Sequence, residues 1–305
     1  MGLTAAGAVG LSLTGDLLFE EPPERVHPVA WFGRVVAAVD REWRRPKVIG
    51  LVVAVVLPLV AGLLAAATTA AALAISTALA GVLAGLVLFS TVSLRMLVSV
   101  AQEVIDGTES DPATARESVS ALVGRDTAAL SPGELRSGAV ESAAENLADG
   151  VVAPLAAFAV GVHLSLAVGV GAAVWVKAVN TLDSMLGYRS KPVGWASARL
   201  DDVAMWIPAR VSAGCIALAA GDPAAMVRAG QWASAPPSPN SGWPMATLAA
   251  VLDVKLVKTD AYVLNPERDL PSAAEARRGT RIVAVAGAVA FLLAGVAAGA
   301  AGVIG

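Results

Sequence analysis

The chain has 305 residues, 56% of them hydrophobic and 15% charged, against about 25% charge in an ordinary soluble domain. Its net charge of -3 and pI near 5.5 exclude a phosphate-backbone binder, which carries a basic stripe and a pI above about 9; no nucleic-acid partner is expected. One cysteine, Cys215, and two histidines, His27 and His163, exclude an internal disulfide framework and a Cys/His zinc site.

The apolar residues run together instead of alternating as core faces. Residues 48–94 contain no Asp, Glu, Lys, Arg or His, and a crossing needs only about 20 apolar residues. Membrane spans are predicted at about 2–19, 48–70, 74–97 and 281–303, with 151–178 and 206–220 as re-entrant or additional spans. The first basic residue is Arg25, so the N-terminus has no basic n-region of a signal peptide and reads as a retained span.

The first connection carries Arg25, Arg34, Arg41, Arg44, Arg45 and Lys47, and the positive-inside bias makes it cytoplasmic. Counting crossings puts residues 98–149 on the same side. A full crossing by 150–176 would send 177–202 to the opposite face. Pro154, Gly161 and His163 interrupt that segment, which favours a helical hairpin that returns.

Between the spans the polar stretches carry helix-start signals. Asp111-Pro112 predicts a helix that stops at Gly124, and Ser131 with Glu134 forms a capping box. Asp222-Pro223 and Ser272 with Glu275 repeat these devices. Residues 235–244 and 263–271, rich in proline and turn formers, read as loops. The class is all-α: a polytopic integral membrane protein with helical cytoplasmic segments, expected as a single membrane-embedded domain over 1–305.

Two clusters could carry chemistry. Glu141, Glu145 and Asp149 recur every four residues on the helix opened by Ser131, and like charges so spaced repel unless cations meet them. Mg²⁺ suits such oxygens; a solvated helix face is the plainer alternative. The second cluster holds Lys177, Asn180, Asp183, Ser184, Arg189, Lys191, Arg199, Asp201 and Asp202 beside an apolar segment. Ionisable groups at a membrane edge are costly and so usually functional, though a snorkelling lysine and an Arg199–Asp202 pair would be structural. The loop Pro237-Ser238-Pro239-Asn240-Ser241-Gly242-Trp243-Pro244 is stiff and suits either an anion or a rigid turn. No P-loop, G-x-S-x-G or H-E-x-x-H motif occurs.

Several blocks together resemble the CobD/CbiB family. They are His27-Pro28-Val29 with Gly33-Arg34, Gly124-Arg125-Asp126-Thr127, Val140-Glu141-Ser142 with Glu145-Asn146, and Asp149-Gly150-Val151-Val152-Ala153-Pro154. Further along come Lys177 to Met185, Gly194 to Val203, Ile207-Pro208-Ala209-Arg210 and Pro237 to Pro244, all in family order. The last block departs from the family, with Ala235 and Pro236 where a basic residue and a histidine usually stand, and Met245 where an acid often follows.

The resemblance implies adenosylcobinamide-phosphate synthase activity: ATP and Mg²⁺ drive amide formation between aminopropanol phosphate and the free propionate carboxyl of adenosylcobyric acid, through an acyl phosphate. By the same carry-over, Glu141, Glu145, Asp183, Asp201 and Asp202 are expected to be catalytic. His27, Arg34, Arg125, Asp126, Lys177, Asn180, Arg199, Ser238 and Asn240 are expected to bind substrate, and Glu141, Glu145 and Asp149 to bind Mg²⁺. A multi-pass protein of the cytoplasmic membrane is implied, in contact with lipid, its site facing the cytoplasm, acting as a homo-oligomer or beside other cobalamin-pathway enzymes. The rival reading is a non-catalytic transporter subunit or AmpE-like sensor, which would need polar groups within its spans.

Overall fold

A computed structural model describes residues 1–110, 130–188 and 190–301. Among these, six helices are long and apolar enough to cross a membrane: Gly2–Phe19, Pro46–Ile75, Thr77–Ser110, Pro132–Gly161, Leu166–Leu186 and Ala273–Gly299. A broken pair, Pro192–Ala204 and Trp206–Ala219, is apolar enough for one more. The protein is therefore an all-α polytopic membrane protein. The four firm spans read from hydropathy fall on these helices, whereas the helical segment expected from 151 begins at Pro132 and reaches Gly161 through a π-helical turn.

The residues explain where these helices begin. Ser76 accepts from the Leu79 amide and starts a new helix after Ile75, with no charge at the turn. Ser131 and Glu134 form the expected capping box, and Ser272 with Glu275 repeats it. At Asp222 the device differs: its carboxylate pairs with Arg228 at 2.5 Å. That guanidinium, helped by the Ala224 and Ala225 amides, holds the Asp222 carboxyl below its usual range. The predicted helix from Asp111 to Gly124 lies outside the described residues.

The chain forms two compact units, each assembled from separated stretches. The first comprises Met1–Ser93, Asp149–Met205 and Phe291–Gly305. Its centre is the Pro46–Ile75 helix against Leu166–Leu186. The buried stripe of the former is Gly50, Ala54, Pro58, Gly62, Thr69 and Ala72, while Leu51, Val55, Leu59 and Leu63 on its other sides are exposed. A helix apolar all round with small residues at its contacts is what lipid requires, because packing rather than water exclusion must hold the helices together. The approach is close: a Cβ on Gly62 would lie 2.8 Å from the Gly171 carbonyl oxygen.

The helical hairpin expected at 150–176 is present, and both arms belong to helices long and apolar enough to cross a membrane. Ala153–Gly161 and Leu166–Leu186 pack together across a turn at Val162–Ser165, where Ser165 caps the second helix. The first arm is preceded by a π-helical turn, Ala148–Val152.

The second unit comprises Leu94–Ala148 and Trp206–Ala290. It contains the one ribbon among the described residues, in which Leu256–Lys258 pairs antiparallel with Tyr262–Leu264, Val257 opposite Val263. The predicted loop 263–271 thus begins with two strand residues. Gly242–Leu252 is a buried helix, and Leu94–Ser110 packs on Pro132–Leu147.

Candidate functional site

In the first unit, the polar residues of the Leu166–Leu186 helix meet those of Trp195–Ala204. The junction depends on Gly194. A Cβ there would lie 1.6 Å from the Leu186 carbonyl oxygen, so only glycine lets the chain fold back against the helix it has just left. Lys191 pins the turn by donating to Asp40 Oδ2 at 2.6 Å and to the Met185 carbonyl at 3.1 Å.

That turn brings Asp201 within electrostatic range of Asp149, Asp183 and Asp202, with the Asn180 side chain hydrogen-bonded to it. The Oδ1 atoms of Asp183 and Asp201 are buried and accept no hydrogen bond among the described residues. Asp202 accepts from Arg199 at 3.1 Å, and that arginine is mostly exposed, so the pair foreseen as the structural alternative does form. Asp149 enters from the π-turn, a feature that often marks functional positions.

Lys177 completes the group. Its ammonium group stands in the field of Glu21 and Asp149 and makes no ion pair or hydrogen bond with any described residue. It lines two adjoining cavities. One, of about 360 Å³, is walled by apolar side chains including Trp31, Phe32, Leu64, Val87 and Val174. The other, of about 410 Å³, is lined by Glu21, Glu24, His27, Gly33, Thr181 and Met185 among others. Val29, Ser90, Lys177 and Thr181 belong to both.

His27 does two local jobs there. Its Nδ1 accepts from the Val29 amide at 3.3 Å and caps the Pro28–Ala37 helix, and its Nε2 faces Glu21 Oε2 at 3.6 Å. Arg34 is largely exposed, 3.9 Å from Glu24.

In the second unit, Glu141 is not part of a solvent-facing stripe. It is 5% exposed. Oε1 accepts from the Ser137 hydroxyl at 2.7 Å, and Oε2 from the Tyr262 hydroxyl at 2.8 Å. Ser137 Oγ accepts in turn from the Val257 amide at 2.7 Å, so the network fastens the ribbon to the helix. Glu145 is half-buried. The regular four-residue spacing ends before Asp149, which sits in the π-turn and belongs to the first unit. Among the described residues no three His, Cys, Asp or Glu side chains form a ready cage for a metal ion.

The Pro237–Pro244 loop folds onto Arg210. The guanidinium donates to Asn240 Oδ1 at 2.9 Å and to the Pro239 carbonyl at 3.2 Å, and lies over the Trp206 and Trp243 rings. Asn240 is buried, and Ser238 Oγ accepts from the Asn240 amide within the loop. Both residues expected to bind substrate are thus occupied in shaping the loop. Arg125, Asp126 and Arg189 lie outside the described residues. The sequence reading also missed Glu21, Arg210 and Tyr262. Arg210 stood in a quoted block without a role, whereas nothing local singled out Glu21 or Tyr262, whose partners are distant in sequence.

These features define a multi-pass helical membrane protein whose ionisable residues converge beside two half-open clefts. The family model for the CobD/Cbib protein matches residues 9–292. The chain belongs to the CobD/CbiB family. It is 39% identical to the cobalamin biosynthesis protein CobD of Geobacter metallireducens, over 87% of this chain and 85% of the relative. It is 34% identical to the probable cobalamin biosynthesis protein CobD of Methanothermobacter thermautotrophicus, over 85% and 86%. To the cobalamin biosynthesis protein CbiB of Salmonella typhi it is 33% identical, over 88% and 86%. No solved structure matches the chain.

Proposed function

We propose that this protein works in cobalamin biosynthesis as adenosylcobinamide-phosphate synthase, an ATP-dependent ligase of the cytoplasmic membrane with its site open to the cytoplasm. One observation carries the reading: Asp183 and Asp201 each keep a buried oxygen without a donor among the described residues, and Lys177, whose ammonium group has no partner among them, shares the field of Asp149 with Asp201. A phosphate and a divalent cation would satisfy both at once.

The donor set fits Mg²⁺. This ion takes one or two carboxylates and completes its shell with water and phosphate oxygens, so a three-carboxylate cage is not required. Asp183 and Asp201 would hold it, with Asp149 and Asp202 adding negative field. Glu141, whose oxygens are both engaged, is better cast as structural. When bound, Mg²⁺ neutralises charge on the nucleotide phosphates and the transferring phosphoryl group.

The remaining work falls to the chain. Lys177 draws phosphate oxygens, and Asn180 holds Asp201 in place. In the proposed reaction a propionate carboxylate oxygen of adenosylcobyric acid attacks the terminal phosphorus of ATP and ADP leaves. The amine nitrogen of aminopropanol phosphate then attacks the acyl carbon, losing a proton as inorganic phosphate departs.

A transporter reading has one observation in its favour, since Lys177 and Asp183 lie on a helix able to cross a membrane. The test separates the two. Purified protein in detergent, with no gradient, is incubated with adenosylcobyric acid, aminopropanol phosphate and Mg-ATP, and the product is read by mass. Wild type should yield the amide and ADP, and Asp183→Asn and Asp201→Asn should lose about 100-fold or more in rate, as removal of a key electrostatic group does. Both should also lose any Mg²⁺-induced rise in unfolding temperature. No product from wild type, or full activity in both variants, overturns the proposal.

A further inference from the structure

We infer that the cavity of about 410 Å³ lined by Glu21, His27, Lys177 and Thr181 is a seat for a small zwitterion bearing an ammonium at one end and a phosphate at the other. The inference rests on the ligase reading, because it assigns the aminoalkyl phosphate of that reaction to a particular chamber and gives Glu21 a role.

The charges facing the chamber are of both signs and are held apart. Lys177 and Glu21 interact electrostatically across it, yet they form no ion pair, and the Lys177 ammonium group has no partner among the described residues. Opposite charges within an apolar bundle would close on each other if side-chain freedom allowed, since direct contact offsets part of their desolvation. Here the gap is maintained from one side. His27 is fixed as the cap of the Pro28–Ala37 helix through Nδ1, which leaves its hydrogen on Nε2, 3.6 Å from Glu21 Oε2. Glu21 thus stands beside the imidazole and not in an ion pair with Lys177.

An anion alone in the chamber would gain Lys177 but meet Glu21 and Glu24. A cation alone would meet the reverse. A short molecule carrying both charges satisfies both ends, its phosphate on Lys177 and its ammonium on Glu21. Thr181 and Ser90 donate their hydroxyl protons to the Lys177 and Val87 carbonyls, which leaves their oxygens as acceptors lining the space. The neighbouring apolar chamber, of about 360 Å³ and sharing four lining residues with it, offers no charged group besides Lys177. It suits the carbon skeleton and not either charged end. Glu21 here positions the ammonium; it is not assigned a proton-transfer step.

The experiment measures binding to the full-length protein in detergent, without ATP or corrinoid, using three probes: aminopropanol phosphate, propanol phosphate and aminopropanol. Wild type should bind the zwitterion about tenfold or more tightly than either half-molecule, the worth of one hydrogen-bonded charge contact. Glu21→Gln should erase the advantage of aminopropanol phosphate over propanol phosphate, weakening the zwitterion while propanol phosphate, relieved of a like charge, binds at least as tightly as before. Lys177→Met should weaken both phosphate-bearing probes by a similar factor and spare aminopropanol. Lys177→Arg, which keeps the cation, should retain most zwitterion binding and reports whether the chamber is intact.

Equal loss of all probes in Glu21→Gln, or unaltered zwitterion binding in both Glu21→Gln and Lys177→Met, overturns the inference. Turnover separates the two proposals. If wild type makes the amide and Glu21→Gln leaves the KM for aminopropanol phosphate unchanged, the chamber assignment is wrong and the ligase reading stands. If charge-selective zwitterion binding is found but wild type forms no amide, the ligase reading fails and the seat remains.

Discussion

Glu141 shows how a residue's role depends on what the fold brings to it. The sequence offers a carboxylate four positions from Glu145, but the structure surrounds it with two hydroxyl donors, Ser137 and Tyr262, the second from 121 positions away. An amide side chain in its place would turn N–H groups toward one of those donors. Glu141→Gln is therefore expected to lower stability by about 1–3 kcal/mol, and Tyr262→Phe by about 1 kcal/mol. Neither should shift the Mg²⁺ concentration that supports half-maximal activity. Unfolding in detergent alongside an Mg²⁺ titration checks this. Intact stability with a steep shift in Mg²⁺ dependence would return Glu141 to the metal.

Asp183 and Asp201 present the opposite case. Each keeps a buried oxygen without a donor, and like charges surround Asp201. Neutralising either one removes repulsion, so Asp183→Asn and Asp201→Asn should unfold no more easily than wild type without Mg²⁺, even as activity is lost. Thermal unfolding with and without chelator measures it. A drop in stability without Mg²⁺ would show that these carboxylates serve the fold. This trade of stability for a charged site is legible only in part from sequence. The ionisable residues were visible, but which would be satisfied by neighbours was not.

Among the elements, the helix ends were the most legible, because a cap needs only residues three apart. Ser131 with Glu134 and Ser272 with Glu275 behave as their spacing dictates. The interruptions were less so. The π-turn at Ala148–Val152 has no proline within it and follows a good helical pattern, so the regular stripe ending in Asp149 was read one turn too far. Gly194 is the element-scale hinge of the site. Gly194→Ala would drive a methyl group against the Leu186 carbonyl, at a cost of about 1–3 kcal/mol if the backbone yields. That yielding would carry Asp201 away from Asp183, so activity should fall far more than stability, with bilayer insertion retained. Ala198→Gly, on the same helix, provides the comparison. Equal activity in the Gly194 and Ala198 variants would mean the turn does not position the carboxylates.

For the whole molecule, the spans follow from composition, since a run of apolar residues longer than a bilayer is thick has few other places to go. Their pairing does not. The hairpin of Ala153–Gly161 and Leu166–Leu186 predicts that its turn and its far end lie on opposite sides of the membrane. In a Cys215→Ser background, His163→Cys and Ser190→Cys should react with an impermeant thiol reagent from opposite faces. Labelling of both from the same face would make the pair a re-entrant loop.

Sequence alone determined the class of this protein: a helical, polytopic membrane protein of the CobD/CbiB family, with its caps, most of its spans and the blocks that carry its ionisable residues. Those properties arise from hydropathy over tens of residues, from contacts within one helical turn, or from motifs in fixed order. Tertiary structure decided the rest. It gave both Glu141 oxygens hydroxyl donors while leaving a buried oxygen on Asp183 and on Asp201 without one among the described residues, set Lys177 across a cavity from Glu21, and engaged Asn240 with Arg210. These outcomes depend on whether a buried polar group finds a partner, and the partners come from segments far apart in the chain.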